Sequence, residues 1–276
     1  MMLTSNDLEF NPNNHRYKIK DTKPAQYIPS VTTICGMLNK PYLVEWAARE
    51  AATAAAYAVA EHDNLNDQVL TACIETGRRS HRDLREHGAS VGSMVHDRIK
   101  STLTMGIDPE LDDASIEADL AMEAFHRWYT DYVYELNAEV LHVERIVVHP
   151  SGFYCGTFDL LIRNANNTLT LVDFKTSNQS ESNPLAIYPE YFFQVAAYRK
   201  AIIESPEFVV DNIVDAQLVA LGKDGQLGVT VLDADALDMY SDAFLSMASV
   251  YPVYNEAKRR INALNKTEKL IRQEQS

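Results

Sequence analysis

The sequence predicts an α/β protein, a compact core of strands and covering helices wrapped by a helical N-terminal half. Three observations carry that expectation. "EVLHVERIVVH", "YCGTFDLLIR" and "LTLVDFKT" are short β-branched segments separated by "PSG" and "NANNT", the marks of consecutive antiparallel strands. Ahead of them, the chain from about residue 30 is Ala-rich and amphipathic, as helices are. Behind them, helical stretches alternate with two more apolar segments, "VDAQLVAL" and "LGVTVLD". With 276 residues, 46% of them hydrophobic, the chain can bury a sizeable core.

Taken in order, "HRYKIKDTKPAQYIP" (15–29) alternates and holds turn formers, so it reads as a small hairpin. Ser30 or Thr32 then offers an N-cap, and Pro41 marks the break between a short helix and a long Ala-rich one. Residues 66–86 and 89–104 read as two further helices, the second carrying His96, and a loop runs through "MGIDPELDDAS". An amphipathic helix with Trp128 and Tyr132 is expected over 115–137. After the three strands a helix covers 184–203, a strand covers 214–221, "LGVTVLD" extends the sheet, and the tail from 235 is helical. There is no repeat and no low-complexity linker.

Charge and cysteine content narrow the function. A net charge of −14 argues against broad electrostatic capture of nucleic acid, so any such site must be local. Cys35, Cys73 and Cys155 are odd in number and scattered, with no CxxC, which points to a reducing, cytoplasmic setting rather than a disulfide framework or zinc site. No run of eighteen apolar residues occurs, and "MMLTSNDLEFNPNN" lacks the basic flank of a signal peptide, so no membrane association is expected.

Candidate chemistry gathers at two strand ends. In "LTLVDFKT", Leu169, Leu171, Asp173 and Lys175 share one face while Thr170, Val172 and Phe174 share the other. Both faces are largely apolar, as in a covered strand, so Asp173 and Lys175 sit where the core opens. The "NANNT" turn would bring Asp159 of "GTFD" beside them. Two carboxylates held together repel unless a cation lies between them, and Mg2+ or Mn2+ suits oxygen ligands. Alone, an Asp and Lys two apart is more often an ordinary salt bridge at a strand end. On the next helix Gln194 and Tyr198, four apart, could turn an amide and a phenol toward the same strand end.

The set "GTFD", "DFKTS" and "QVAAY", in this order and spacing, resembles the PD-(D/E)xK nuclease superfamily. It is most similar to the RecB-like branch of phage exonucleases, Cas4-like nucleases and the mitochondrial genome maintenance exonuclease. That branch also has an upstream histidine, matched by His96 in "GSMVH", and "IPSVTTI" with Trp46 looks like the leader of phage-encoded members. The resemblance covers roughly residues 15–203. It implies a restriction-endonuclease-like core with a central mixed sheet flanked by helices, plus the helical N-terminal region. The division would be 1–138 contributing His96, a nuclease core over 139–232 and C-terminal helices over 233–276, in one compact body.

By the same resemblance Asp159 and Asp173 would be ligands of Mg2+ or Mn2+, joined by the backbone carbonyl of Phe174 and by His96. Lys175 would position or activate water, and Gln194 and Tyr198 would contact DNA phosphate or order the site. Glu144, on the strand before "GTFD", alternates with Val140, His142, Ile146 and Val148; a place near the metals and a structural role both stay open for it. Cas4-like and AddB-like members bind an iron-sulfur cluster through one cysteine before the core and three after it. No cysteine follows Cys155 here, so no such cluster is expected. The implied activity is a metal-dependent DNA exonuclease of phage DNA recombination, repair or processing, with a recombinase, single-strand-binding protein or helicase as possible partner. Two alternatives stand beside it, a structure- or site-specific endonuclease of the same fold and a non-catalytic DNA-binding or partner-binding subunit. "KRRINALNKTEKLIRQ", with Lys258, Arg259 and Arg260, could track phosphates or be a solvated helix face. Tyr191, Phe192 and Phe193 could stack bases, although core packing explains them more simply.

Overall fold

The computed structural model of the protein describes residues 3–12, 16–109, 115–176, 187–210 and 213–274. At its centre is a five-stranded mixed sheet in the order β4-β5-β6-β7-β8. The strands are β4 (Glu139–Val148), β5 (Cys155–Arg163), β6 (Leu169–Thr176), β7 (Ile213–Leu221) and β8 (Leu227–Asp233). Neighbours linked by short turns pair antiparallel, whereas β6 and β7 are parallel. A parallel pair needs a crossover, and helix α5 (Pro189–Glu204) lies between them in the chain. The segment "LGVTVLD" extends the sheet as expected.

The alternation of β6 sorts its side chains as the sequence predicts. Val172 and Phe174 join Val91, Val95, Phe125 and Trp128 on one face. Leu169 and Leu171 join Val195, Ala201 and Ile202 of α5 on the other. Burying each such side chain is worth about 1.5–3 kcal/mol, and the indole N–H of Trp128, buried among them, donates to Oε1 of Gln217 at 2.9 Å. Phe192 and Phe193 pack on the Tyr240 ring, centroids 5.3 and 5.5 Å away, so core packing accounts for these two aromatics.

The N-terminal region is a small sheet plus helices. The expected hairpin is β2 (Arg16–Ile19) with β3 (Tyr27–Ile28), and β1 (Leu8–Asn11), not anticipated, pairs on its other side. Residue 15 of that expected hairpin lies outside the described residues. Leu8, Tyr17 and Ile28 pack against Val148 and Cys155, which seats this sheet beside the central one. Ser30 caps α1 (Val31–Cys35), its Oγ accepting from the Thr33 N–H at 3.0 Å. Helix α2 (Pro41–Ala60) starts at Pro41 as expected.

Three helix expectations are corrected. Residues 66–86 and 89–104 form one 39-residue helix, α3 (Asp67–Met105). A glycine such as Gly88 costs a helix interior only about 1 kcal/mol, and packing carries the helix through it. A Cβ on Gly77 would stand 2.5 Å from the Ala51 carbonyl oxygen, so glycine permits the close approach of α2 to α3. The helix expected over 115–137 ends earlier: α4 (Ile116–Tyr129) runs into a single π turn over Thr130–Tyr134, whose extra residue leaves Val133 buried. The helix expected over 184–203 begins at Pro189, a proline in the first turn fixing its start. Residues 184–186 of that expectation lie outside the described residues, as do 110–114 of the expected loop.

The tail is one long helix, α6 (Ala234–Glu274). All three cysteines are buried and free. Among the described residues no helix is long and apolar enough to cross a membrane.

Candidate functional site

The site lies where the β5–β6 ladder stops. The two strands pair from Arg163↔Leu169 to Leu160↔Val172. One step further Asp159 Oδ2 accepts the backbone N–H of Phe174 at 2.7 Å, a side chain standing in for a strand bond. The Phe174 ring is held edge-on by Trp128 and Phe125, centroids 5.0 and 5.6 Å away. Anchoring that ring on one face sends Asp173 and Lys175 to the other.

Asp173 is 1% exposed. Lys175 Nζ lies 2.5 Å from its Oδ2, while among the described residues its Oδ1 has no hydrogen-bond partner. Buried oxygens without partners are costly. Lys175 also sits over the Tyr191 ring, 5.0 Å from its centroid; of the three aromatics in "YFF", this is the one that faces the site.

His96, Glu144 and Asp159 form a second cluster. His96 Nδ1 is 3.3 Å from Glu144 Oε1 and 3.8 Å from Asp159 Oδ1. One ligand atom from each of the three lies within 4.8 Å of the others, an arrangement able to hold a metal ion. His96 reaches this position from α3. A Cβ on Gly92, one turn earlier, would stand 3.0 Å from Thr176 Oγ1, so glycine lets the helix close on the end of β6.

Glu144 arrives by an irregular strand. The register flanking it, Val143↔Leu160 and Arg145↔Phe158, sets it across from Asp159, after a shift between Val140 and His142. Its φ is +48°, a conformation that costs a non-glycine residue about 1–3 kcal/mol and that recurs at functional sites. The even alternation expected from Val140 to Val148 is therefore corrected. Val140 packs with the α3 and α4 side of the sheet, while His142 meets Phe208 on the opposite side.

Gln194 and Tyr198 do share a face of α5: Gln194 Nε2 donates to the Tyr198 hydroxyl at 3.3 Å. Tyr198 lies against β5 because position 156 has no side chain, a Cβ there falling 2.5 Å from Tyr198 Cε1.

Electrostatics follow from burial. Burial raises Asp173 from 3.8 to about 6, the nearby Lys175 charge only partly offsetting it. Asp159 is raised for the same reason. Burial opposes charge on His96, but Asp159 and Glu144 outweigh it and hold the imidazole up at about 9. Lys175 is likewise kept protonated, burial being overcome by Asp173 and then Asp159. Tyr198 stays protonated through burial.

A cleft of about 820 Å3 opens beside these groups, and buried Asp173 is not among its lining residues. Its wall includes His96, Glu144, Asp159, Lys175, Gln194 and Tyr198. The cleft also holds residues that sequence reasoning missed. Tyr17, whose hydroxyl is 2.8 Å from Thr157 Oγ1, and Ser30 come from the N-terminal segment. No local pattern marks Tyr17, whose partner Thr157 is far along the chain, and Ser30 was legible only as the cap of α1. Asp173 stands apart from the three-residue metal cluster, engaged by Lys175 instead. Lys258, Arg259 and Arg260 are on an exposed stretch of α6 and do not line the cleft.

Such a set can hold a divalent cation through the His96, Glu144 and Asp159 atoms, with a buried carboxylate and an ammonium beside it. No family model matches the chain, and no curated protein matches it. Among solved structures, the crystal structure of SSO0001 is similar at 15% identity, over 56% of this chain and 84% of that one, with a TM-score of 0.26. The crystal structure of LHK-Exo in complex with dAMP is similar at 17% identity, over 61% and 84%, with a TM-score of 0.29.

Proposed function

We propose that this protein is a Mg2+- or Mn2+-dependent deoxyribonuclease, acting as an exonuclease on DNA ends in phage DNA recombination or processing. The observation that carries the reading is the cleft end itself. There a buried carboxylate with one oxygen unpartnered, Asp173, the ammonium of Lys175 against its other oxygen, and the cluster of His96, Glu144 and Asp159 converge where two strands part. A carboxylate with one oxygen on an ammonium and the other without a partner, beside further buried acids, supports a cation there. The motifs "GTFD", "DFK" and "QVAAY" support the same reading by their resemblance to RecB-like nucleases.

A cation held by His96, Glu144 and Asp159, with Asp173 beside it, would withdraw charge from a scissile phosphodiester and acidify water. Lys175, kept protonated by its carboxylates, donates hydrogen bonds to a phosphate oxygen or to water and so positions rather than deprotonates. The Tyr191 ring over its ammonium limits where that charge can swing. Tyr198, a neutral phenol held by Gln194, offers a donor to a phosphate oxygen. The products implied by the resemblance are 5'-phosphate and 3'-hydroxyl ends.

The test is a time course on end-labelled linear and circular DNA with Mg2+ or Mn2+, using Asp173→Asn as control. Loss of linear DNA alone, absent in the variant and in chelator, is the expected result. Cutting of circular DNA would make it an endonuclease. No cutting of any substrate would overturn the catalytic reading.

A further inference from the structure

The cleft does not end at His96. At about 100° per residue, α3 places Arg78, Arg82, Arg85, Ala89, Gly92, His96 and Lys100 within about 40° of one line along its surface. The last four of these line the cleft. The first three continue the same line outward, all exposed. Along it they stand about 4.5–6 Å apart, and Arg78 is about 27 Å from His96. No aspartate or glutamate falls on this line between residues 78 and 100, in a chain of net charge −14.

The line is also open. Cys73 and Gly77 are buried, Gly77 against Ala51 of α2, and Val91 and Val95 are buried in the core; these residues occupy the other side of α3. Arg78 pairs with Glu75 at 2.6 Å. Arg82 and Arg85 make no ion pair or side-chain hydrogen bond among the described residues, although Glu86 stands four residues after Arg82 on the same helix, and both guanidinium groups are exposed.

We propose that the outer turns of α3 are a phosphate track, in which Arg78, Arg82 and Arg85 hold the backbone of one DNA strand as it leaves the cleft. A single row of guanidinium groups fits one strand rather than the two backbones of a duplex. Guanidinium suits phosphate by its planar fork of donors. The contacts are to phosphate, so the track reads no sequence. The inference rests on the nuclease reading of the cleft, and it places DNA contact on α3 rather than on Lys258, Arg259 and Arg260.

The experiment is fluorescence anisotropy of a labelled oligothymidylate titrated with the full chain carrying Asp173→Asn, over a range of salt. The same chain with Arg78→Gln, Arg82→Gln and Arg85→Gln is compared, its folding checked by circular dichroism. Releasing about 0.7 counterion per single-strand phosphate, the three arginines contribute about 2 to the slope of log affinity against log salt. The parent's affinity should then fall about 20-fold more than the variant's between roughly 50 and 200 mM salt. Equal slopes would overturn the track while leaving the nuclease reading to stand on cutting by the wild-type chain. A slope lost only with Lys258→Gln, Arg259→Gln and Arg260→Gln would move the track to α6 and overturn it on α3. A wild-type chain that neither cuts nor binds DNA would overturn both.

Discussion

Gly156→Ala should damage the site without touching a charge. The added Cβ would stand 2.5 Å from Tyr198 Cε1, 3.3 Å from Cζ and 3.2 Å from the hydroxyl. Carbon atoms rest at about 3.5–4.0 Å, so strand and ring must separate by about 1 Å. Neither moves easily. Gly156 is paired to Val147 in β4, and Tyr198 is 3% exposed in an α5 face whose neighbours Val195 and Ala197 are fully buried. Overpacking of this kind costs about 1–3 kcal/mol, which lowers Tm by about 2–12 °C for a chain of this size. A misplacement near 1 Å at reacting groups costs about 100-fold in rate. Thermal melting and the cutting rate on linear DNA would be measured together, with Tyr198→Leu as the second arm of a double-mutant cycle. The crowding belongs to the pair, so the double variant should melt higher than the sum of the single effects. A Gly156→Ala chain that melts and cuts like wild type would refute the argument.

Further outcomes follow from the same geometry. Asp173 is raised from 3.8 to about 6, so the stability linked to its proton is present below about pH 4 and lost as pH rises through 6, by up to about 3 kcal/mol. In chelator the Tm of Asp173→Asn relative to wild type should therefore rise as pH goes from about 4 to 7, while its cutting is lost; a difference independent of pH would count against burial as the cause. Glu144→Gln should weaken Mn2+ binding, read by calorimetry, by at least about 10-fold, whereas unchanged affinity with a lowered Tm would make Glu144 structural. Gln217→Leu strands the buried Trp128 indole N–H and should cost about 1–3 kcal/mol in urea unfolding.

How much of this was legible in the sequence depended on range. In β6 the period of two is local, and it correctly sent Leu169 and Leu171 to one core and Val172 and Phe174 to the other, with Lys175 on the cleft wall and Asp173 buried against it. The pair of Gln194 and Tyr198 was legible for the same reason, four residues on one helix face. Glu144 was named but its setting was not legible, because a register shift and a left-handed backbone, both set by tertiary packing, override the alternation expected around it. Nor was the continuity of α3, where burial of Val91, Val95 and Ile99 holds a helix that local glycine would interrupt. The bond of Tyr17 to Thr157 spans 140 residues, and no motif spans that distance.

The site is drawn from both faces and both ends of the fold. Its groups come from residue 17 in β2 through His96 in α3 to Tyr198 in α5, and β6 gains its parallel neighbour only once β7 is in place. During synthesis the emerging chain therefore carries its acids long before they meet. Until the later elements dock, Asp173 is a solvated carboxylate of ordinary acidity with no histidine or tyrosine across from it. On the nuclease reading proposed above, a chain truncated before α5 has Asp159, Asp173 and Lys175 but neither Gln194 nor Tyr198, and it should not cut.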